Sequence, residues 1–262
     1  MNQMRIVVAM RQLADLVEEL EVDDSGTDID REFVKFVANE FDESALEEAL
    51  LIKEGVGADQ VEVVAVALDE PDVDQTLYTA LAKGADKAVK LAGVPEGWVS
   101  SHTRASAIAK WLESQQWDLV ITGVQAADDL DGQVAGLLGR MLGVPHVAVV
   151  VSAVPEGNVV KVSQELGGGT VAEEEVAMPA VLGVQAARQS PRYAPITRIR
   201  QAMQAGGLSE ETVEVSGDGG RPTVRRLYAP EKSGQAEMLT GSAADVADKI
   251  IELIRAKGLV KS

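Results

Sequence analysis

From Arg5 to about Val151 the chain alternates short β-branched and aliphatic runs with segments whose apolar residues recur three and four positions apart. That rhythm belongs to a mostly parallel sheet whose crossovers are helices. The runs are Ile6–Met10, Val61–Val66, Ala88–Leu91, Leu119–Thr122 and Val147–Val151, and each is apolar throughout. A strand without polar alternation has both faces covered, so helices must lie on both sides of the sheet. The expected fold class is α/β: three layers, Rossmann-like, with a mostly parallel sheet.

The helical segments carry their own punctuation. Ser44 with Glu47 makes a capping box ahead of Ala45, Leu46, Ala49 and Leu50, which share one face. Asp74 is placed to cap a second helix with Leu77, Ala80 and Leu81 inward, and Gly84 sits where a left-handed stop is wanted. Thr103 opens a third, burying Ile108, Trp111 and Leu112. After Asp131, the residues Val134, Leu137, Leu138, Met141 and Leu142 form a stripe closed by Gly143 and Pro145.

Beyond Val151 the pattern changes to two-residue alternation around the turns Pro155-Glu156-Gly157-Asn158 and Gly167-Gly168-Gly169. This predicts antiparallel strands added late to the sheet, ending in the run Ala180–Val184. From Ser190 to Gly241 there are four prolines, clustered glycines and few apolar residues at any fixed period. Such a segment builds no core of its own and is either disordered or laid along another surface. An amphipathic helix then returns, capped by Ser242, with Val246, Ile250, Leu253 and Ile254 on one side. The expected organisation is an α/β domain over residues 1–189 and an extended C-terminal arm, ending in a helix, over 190–262.

Composition narrows the function. The 262 residues, 46% of them hydrophobic, suffice for one sizeable core with an appendage. No apolar stretch approaches the roughly 18 residues of a membrane-spanning helix, and the first residues run straight into a strand pattern. A soluble protein without a leader is expected. Cysteine is absent, which removes disulfides, thiolate nucleophiles and Cys-ligated zinc or iron–sulfur sites, and fits a reducing compartment such as the cytoplasm. A formal charge of −18 argues against binding nucleic acid or an anionic membrane surface. There is no G-x-G-x-x-G, G-x-x-x-x-G-K-[ST], G-x-S-x-G or H-E-x-x-H pattern, and His102 and His146 are the only histidines, read as surface or packing residues. A self-sufficient enzyme is not expected, and no catalytic residue or metal centre is assigned.

Two polar stretches remain. The first is Gly123-Val124-Gln125-Ala126-Ala127-Asp128-Asp129-Leu130-Asp131-Gly132-Gln133-Val134, which leaves the carboxyl end of a strand and enters a helix. Ligands of open parallel sheets bind beyond the carboxyl ends of strands, and free N–H groups near Gly132 to Val134 could hold a phosphate. The three aspartates oppose an anion, so a nucleotide would meet them through ribose hydroxyls or leave them in solvent. Two other readings stay open: a polar loop with an Asp N-cap, or a divalent metal on Asp128, Asp129 and Asp131, for which nothing else supplies ligands. The second stretch is Asn39-Glu40-Phe41-Asp42-Glu43-Ser44, just before a helix, whose polar groups could equally satisfy turn and cap bonds. In a doubly wound sheet, the ends of the Ile6–Met10 and Val61–Val66 strands and the loop after Leu119–Thr122 converge on one crevice, which gives the second stretch its interest.

The sequence resembles the electron transfer flavoprotein β-subunit family in four places, in order, over about residues 5 to 205. These are the strand Ile6–Met10 followed by Arg11-Gln12, the Asn39–Glu48 stretch, the Gly123-x-Gln125-Ala126-x-Asp128 loop with Gln133, and Pro191-Arg192-Tyr193-Ala194. The resemblance implies a subunit without chemistry of its own. It pairs with an α-subunit carrying redox-active FAD, takes electrons from flavin dehydrogenases and passes them to a membrane-associated quinone reductase. It also implies a structural adenine nucleotide, usually AMP, held by Ala9, Asn39, Glu40, Phe41, Asp42, Leu68 and Gly123 to Val134. By the same resemblance, Arg188, Pro191, Arg192 and Tyr193 belong to a partner-recognition loop, and the chain beyond it wraps the α-subunit. The sequence departs from the family pattern at Glu40, where proline is frequent, and before Pro191, where a docking leucine is frequent. Members that bifurcate electrons from NADH hold a second FAD in the nucleotide site; their Asp-Gly-Asp-Thr-Ala-Gln-Val pattern is here Asp128-Asp129-Leu130-Asp131-Gly132-Gln133-Val134, with Gln-Val but no Thr. A reading from another class is an adenine-nucleotide-binding signalling or stress-type protein.

Overall fold

The computed structural model describes residues 3–17, 19–32, 34–95, 97–129, 131–215, 224–229 and 238–259. The chain divides into two compact units, Met1–Leu227 and Tyr228–Ser262.

The first unit is built on β1 (Met4–Ala9), β4 (Val61–Leu68), β5 (Lys87–Ala92), β6 (Leu119–Gly123) and β10 (Ala180–Val184). Alternate residues of each strand enter different cores. Ile6, Val8, Val63, Ala65, Leu119, Ile121 and Leu182 join one cluster with α1 (Glu40–Val56) and α2 (Val73–Lys83). Val7, Ala9, Val64, Val66, Val120 and Val181 join the other with α3 (Ser101–Leu112) and α4 (Val134–Leu142). Because side chains alternate across a strand, this two-sided burial is the reason the strands lack polar alternation. The three-layer expectation is borne out.

The sheet has nine strands in the order β11-β5-β4-β1-β6-β10-β7-β8-β9, where β7 is His146–Glu156, β8 Val159–Gly167, β9 Thr170–Ala177 and β11 Leu208–Thr212. Only the β7–β8 and β8–β9 pairings are antiparallel. A small two-stranded sheet, β2 (Gln12–Ala14) with β3 (Phe36–Ala38), stands apart. The run Ala180–Val184 does not continue the antiparallel series. It turns back as β10, parallel between β6 and β7, where all five of its residues are buried. Where β10 leaves β7 the register slips, and Val149 takes a left-handed φ of 62°, rare for a β-branched residue.

Helix starts differ from the sequence reading. α1 begins at Glu40 after Asn39, so Ser44 lies inside it and donates to the Glu40 carbonyl instead of capping. The residue before α2 is Asp72, and Asp74 pairs with Lys90. Ser100, not Thr103, caps α3, accepting the Thr103 N–H. Within the stretch from Ser190, residues read as lacking a core supply α5 (Ile196–Ala205), with Ile199 buried, and β11, which pairs parallel with β5 at the sheet edge. Residues 216–223 and 230–237 of that stretch lie outside the described residues.

In the second unit, α6 (Ala243–Ala256) starts with a full capping box between Ser242 and Asp245. None of its residues is buried, and Ile250, Ile251 and Leu253 are 43–45% exposed. Among the described residues no helix is long and apolar enough to cross a membrane.

Candidate functional site

The β1 chain crosses to β4 through α1 on one face, while β5 crosses to β6 through α3 on the other. Strand order therefore reverses between β1 and β6, and a crevice opens at the carboxyl ends of both, the position where doubly wound sheets bind ligands. Ala9 ends β1 and Gly123 ends β6.

The first turn of α1 grips both sides of this crevice. Asp42 accepts the Arg11 N–H on Oδ2 at 3.0 Å and the Gly123 N–H on Oδ1 at 2.9 Å. The Asn39 side-chain amide donates to the Gln125 carbonyl at 2.9 Å. Phe41 packs so closely that a Cβ on Gly123 would lie 2.7 Å from the Phe41 Cβ, so glycine here is a packing requirement. Burial pushes the Asp42 carboxyl up to about 6, against the pull of Arg11, the Gly123 N–H and Arg104.

Two arginines supply the positive charge. Arg11, 4% exposed, reaches Asp129 through Nη2 at 2.5 Å. Its Nη1 lies 3.2 Å from Asp128 without the alignment of a hydrogen bond. Arg104, 3% exposed, binds Glu70 with both terminal nitrogens, at 3.1 and 2.6 Å, while its Nε has no hydrogen-bond partner among the described residues. The Glu70 carboxylate raises the Arg104 pKa against the effect of burial. Both arginines line a cavity of about 10 Å³ with Ala9, Asp42, Gly123 and Val134, roughly the space of one water. Buried cationic donors suit an anion such as phosphate. A nucleoside does not fit beside them while Arg11 holds its two aspartates.

The structure thus brings Ala9, Asn39, Phe41, Asp42, Gly123, Gln125 and Val134 together at the crevice. Val124 is tied to the Val184 carbonyl, and Ala126 is buried. Asp129 accepts the Ala126 N–H and, with Asp131, faces the Ser101 hydroxyl. Gly132 has φ 58° and no room for a side chain beside the Val124 carbonyl. Gln133 precedes α4 without a side-chain cap, leaving the helix-start N–H groups uncapped by it. Glu40, the first residue of α1, is exposed. Leu68, the last residue of β4, is fully buried in the α3-side core and does not line the crevice. Leu130 lies outside the described residues. Among the described residues, no group of three acidic, His or Cys side chains could hold a metal ion.

Ala127 and Asp128 also border a larger cavity of about 360 Å³, walled by Leu13, Phe36, Trp98 and Leu227. Three charged residues that sequence reasoning left out of the site are Arg11, Arg104 and Glu70. One signal was available: Arg104 stands in the first turn of α3, where the helix dipole disfavours a cation.

The expected recognition loop connects β10 to α5. Arg188 and Arg192 are pinned to Glu48 and Glu47 of α1, at 2.7 Å each. Pro191 is exposed, and Tyr193 is 82% exposed.

Comparison with known proteins adds the following. The profile of the electron transfer flavoprotein domain matches residues 27–217. An electron transfer flavoprotein subunit beta of Methylophilus methylotrophus is 36% identical, over 96% of this chain and 98% of its own. That of Sus scrofa is 27% identical over 99% and 100%. The caffeyl-CoA reductase-Etf complex subunit CarD of Acetobacterium woodii is 30% identical over 98% and 100%.

Proposed function

The chain belongs to the electron transfer flavoprotein β-subunit family, and from that premise we propose that it works as one half of a heterodimer in the cytoplasm. Its α-subunit carries a redox FAD, which supplies the electron-transfer chemistry. The pair takes electrons from flavin dehydrogenases and delivers them to a membrane-associated quinone reductase. This chain's part is to hold an adenine nucleotide, AMP, at the β1–β6 crevice and to present the loop around Tyr193 to the donor. The second unit, Tyr228–Ser262, serves the α-subunit: α6 carries an apolar side with no buried residue, as an arm awaiting a cover would.

The observation that carries the nucleotide reading is the pair of buried arginines with spare donors at the switch point, beside the uncapped start of α4. Binding requires Asp128 and Asp129 to yield Arg11, since the space beside it is that of about one water. Gln125, Ala127 and Asp128 are exposed, so this loop can shift without opening the core.

A second reading, with FAD in place of AMP and electrons bifurcated from NADH, is favoured by the 360 Å³ cavity with Phe36 and Trp98 next to Asp128. Co-expression with a candidate α-subunit separates the readings. The first predicts a yellow 1:1 heterodimer that releases FAD and AMP in equal amounts on extraction. Two FAD and no AMP selects the second, and a colourless monomer with every candidate α-subunit rejects both.

A further inference from the structure

Gln12 opens β2, one half of the two-stranded ribbon that stands apart from the main sheet. It is 6% exposed, and its amide nitrogen is fully used: Nε2 donates to the Asp72 carbonyl at 2.9 Å and to the Thr76 hydroxyl at 2.8 Å. A carbonyl only accepts, so these bonds fix which end of the amide is nitrogen. Oε1 is left buried with no hydrogen-bond partner among the described residues, and a buried acceptor left unmade is costly. Gln12 and Phe36 form a wall shared by two cavities. One is the 360 Å³ cavity beside Asp128; the other, of about 310 Å³, lies toward α1 and α2, against Met10, Leu46 and Ala80 of the core. Lys83 of α2 also lines the second cavity, its side chain 6% exposed and bonded to Glu43 at 2.7 Å. An ammonium has three N–H groups, so Lys83 keeps donors to spare.

The orphaned oxygen calls for an N–H or O–H on a ligand, and Lys83 calls for an acceptor. Glu43 already balances Lys83, so a ligand of either net charge would enter without a counter-charge, and an anion would also meet a chain of charge −18. A primary carboxamide is neutral and carries both functions, and the apolar lining suits an apolar body. We infer that the cavity between the ribbon and the helices α1 and α2 is a second small-molecule site, for a neutral carboxamide whose C=O accepts from Lys83 and whose N–H donates to Gln12 Oε1. Oε1 has almost no accessible surface, so β2 shifts slightly as the ligand enters. The ribbon pairs with no strand of the main sheet, and two strands of three residues are marginal alone, so the shift leaves the core intact. The inference stands apart from the nucleotide reading, since Gln12, Glu43 and Lys83 do not line the 10 Å³ cavity of the β1–β6 crevice.

The test titrates the full chain with benzamide and with benzoate, which has the same ring but no N–H, and follows backbone amide NMR shifts. In the wild type, benzamide should move the signals of residues 36–38 and 75–83 and bind at least about tenfold more tightly than benzoate, because a site built to accept a hydrogen bond rejects an analogue without the donor. Lys83→Met should weaken benzamide several-fold while the signals of β7 to β9 stay in place, a pattern that general unfolding would not produce. Gln12→Met should remove the preference over benzoate. Saturating AMP should leave the benzamide affinity unchanged. Benzamide no tighter than benzoate in the wild type, shifts confined to other residues, or an affinity that survives both substitutions overturns the site. Displacement of benzamide by AMP overturns it as well, because the probe then occupies the nucleotide crevice. Benzamide binding as expected, in a chain that takes up no AMP, keeps this site and removes the nucleotide reading alone.

Discussion

Glu48 and Arg188 lie 140 positions apart in the chain and meet on a carboxylate with no exposed surface. Oε1 accepts Arg188 Nε at 2.7 Å and the Ala153 N–H at 2.7 Å, and Oε2 accepts the Arg188 N–H at 3.0 Å. One residue earlier, Glu47 binds the Arg192 N–H and guanidinium, and Glu54 takes its Nη1. The helix whose first turn closes the crevice therefore also fastens the exposed loop around Tyr193.

Replacing Glu48 by Gln keeps the volume but sets an amide N–H against donors that need an acceptor. Because the group is buried and Arg188 is partly solvated, the expected loss is about 2 kcal/mol of folding stability. Urea unfolding of Glu48→Gln measures it, and a change below about 0.5 kcal/mol would be that of an ordinary surface substitution.

Burial alone would raise the Glu47 pKa, but the Arg192 bonds win and hold it below its usual value. The pair is thus a real restraint on the loop. Glu47→Ala should speed tryptic cleavage after Arg188 and Arg192 by roughly tenfold, because cleavage follows local opening. An unaltered digestion time course would mean that other contacts hold the loop.

Asp42 gives a pH signature of the opposite sign to most carboxylates. Its pKa rises from 3.8 to about 6 in the folded chain, so the folded state binds the proton more tightly than the unfolded one. Its contribution is fully present below the unfolded pKa and is lost as pH climbs through the folded value, by ~3 kcal/mol over that window. The stability of wild type minus that of Asp42→Asn should therefore fall between about pH 4 and 6. A difference that rises with pH would show that the two arginines outweigh burial.

Gly123 and Gly143 differ in what a methyl group would meet. At Gly123 it would strike Asp42 and approach Phe41, both on α1; at Gly143 nothing lies within 4 Å, but φ is 69°. Gly123→Ala should cost about 2–3 kcal/mol by overpacking, and Gly143→Ala about 1 kcal/mol by backbone strain alone. Thermal unfolding of the two variants decides the order; equal losses would mean that α1 moves aside.

The strands were the most legible part of the chain. Ala180–Val184 was bounded correctly, and Val61–Val66 stops two residues short of the observed end, because two-sided burial writes an unbroken apolar run. The neighbours of such a run were not legible. The residues of β10 read the same whether they close an antiparallel series or enter the sheet between β6 and β7. The capping pattern of Ser44 and Glu47 misled for a related reason: the partner that claims Glu47 is Arg192, 145 positions away. β11, Leu-Ser-Glu-Glu-Thr, is largely polar because it is an edge strand with one neighbour, and so it lacks the strand signal.

By itself the sequence determined the α/β class, the apolar strands of the sheet, the buried faces of α1 to α3 and the loop that leaves β6, since hydrophobic periodicity and turn chemistry act between near neighbours. It also excluded thiol chemistry by the absence of cysteine. Only the tertiary structure decided that Arg11 closes on Asp129, that Arg104 joins it, and that α1 ties crevice to loop. Those are charge pairings across 34 positions for Arg104 with Glu70, 118 for Arg11 with Asp129 and 145 for Arg192 with Glu47, and their strength comes from removal of water, which exists only once the core has closed.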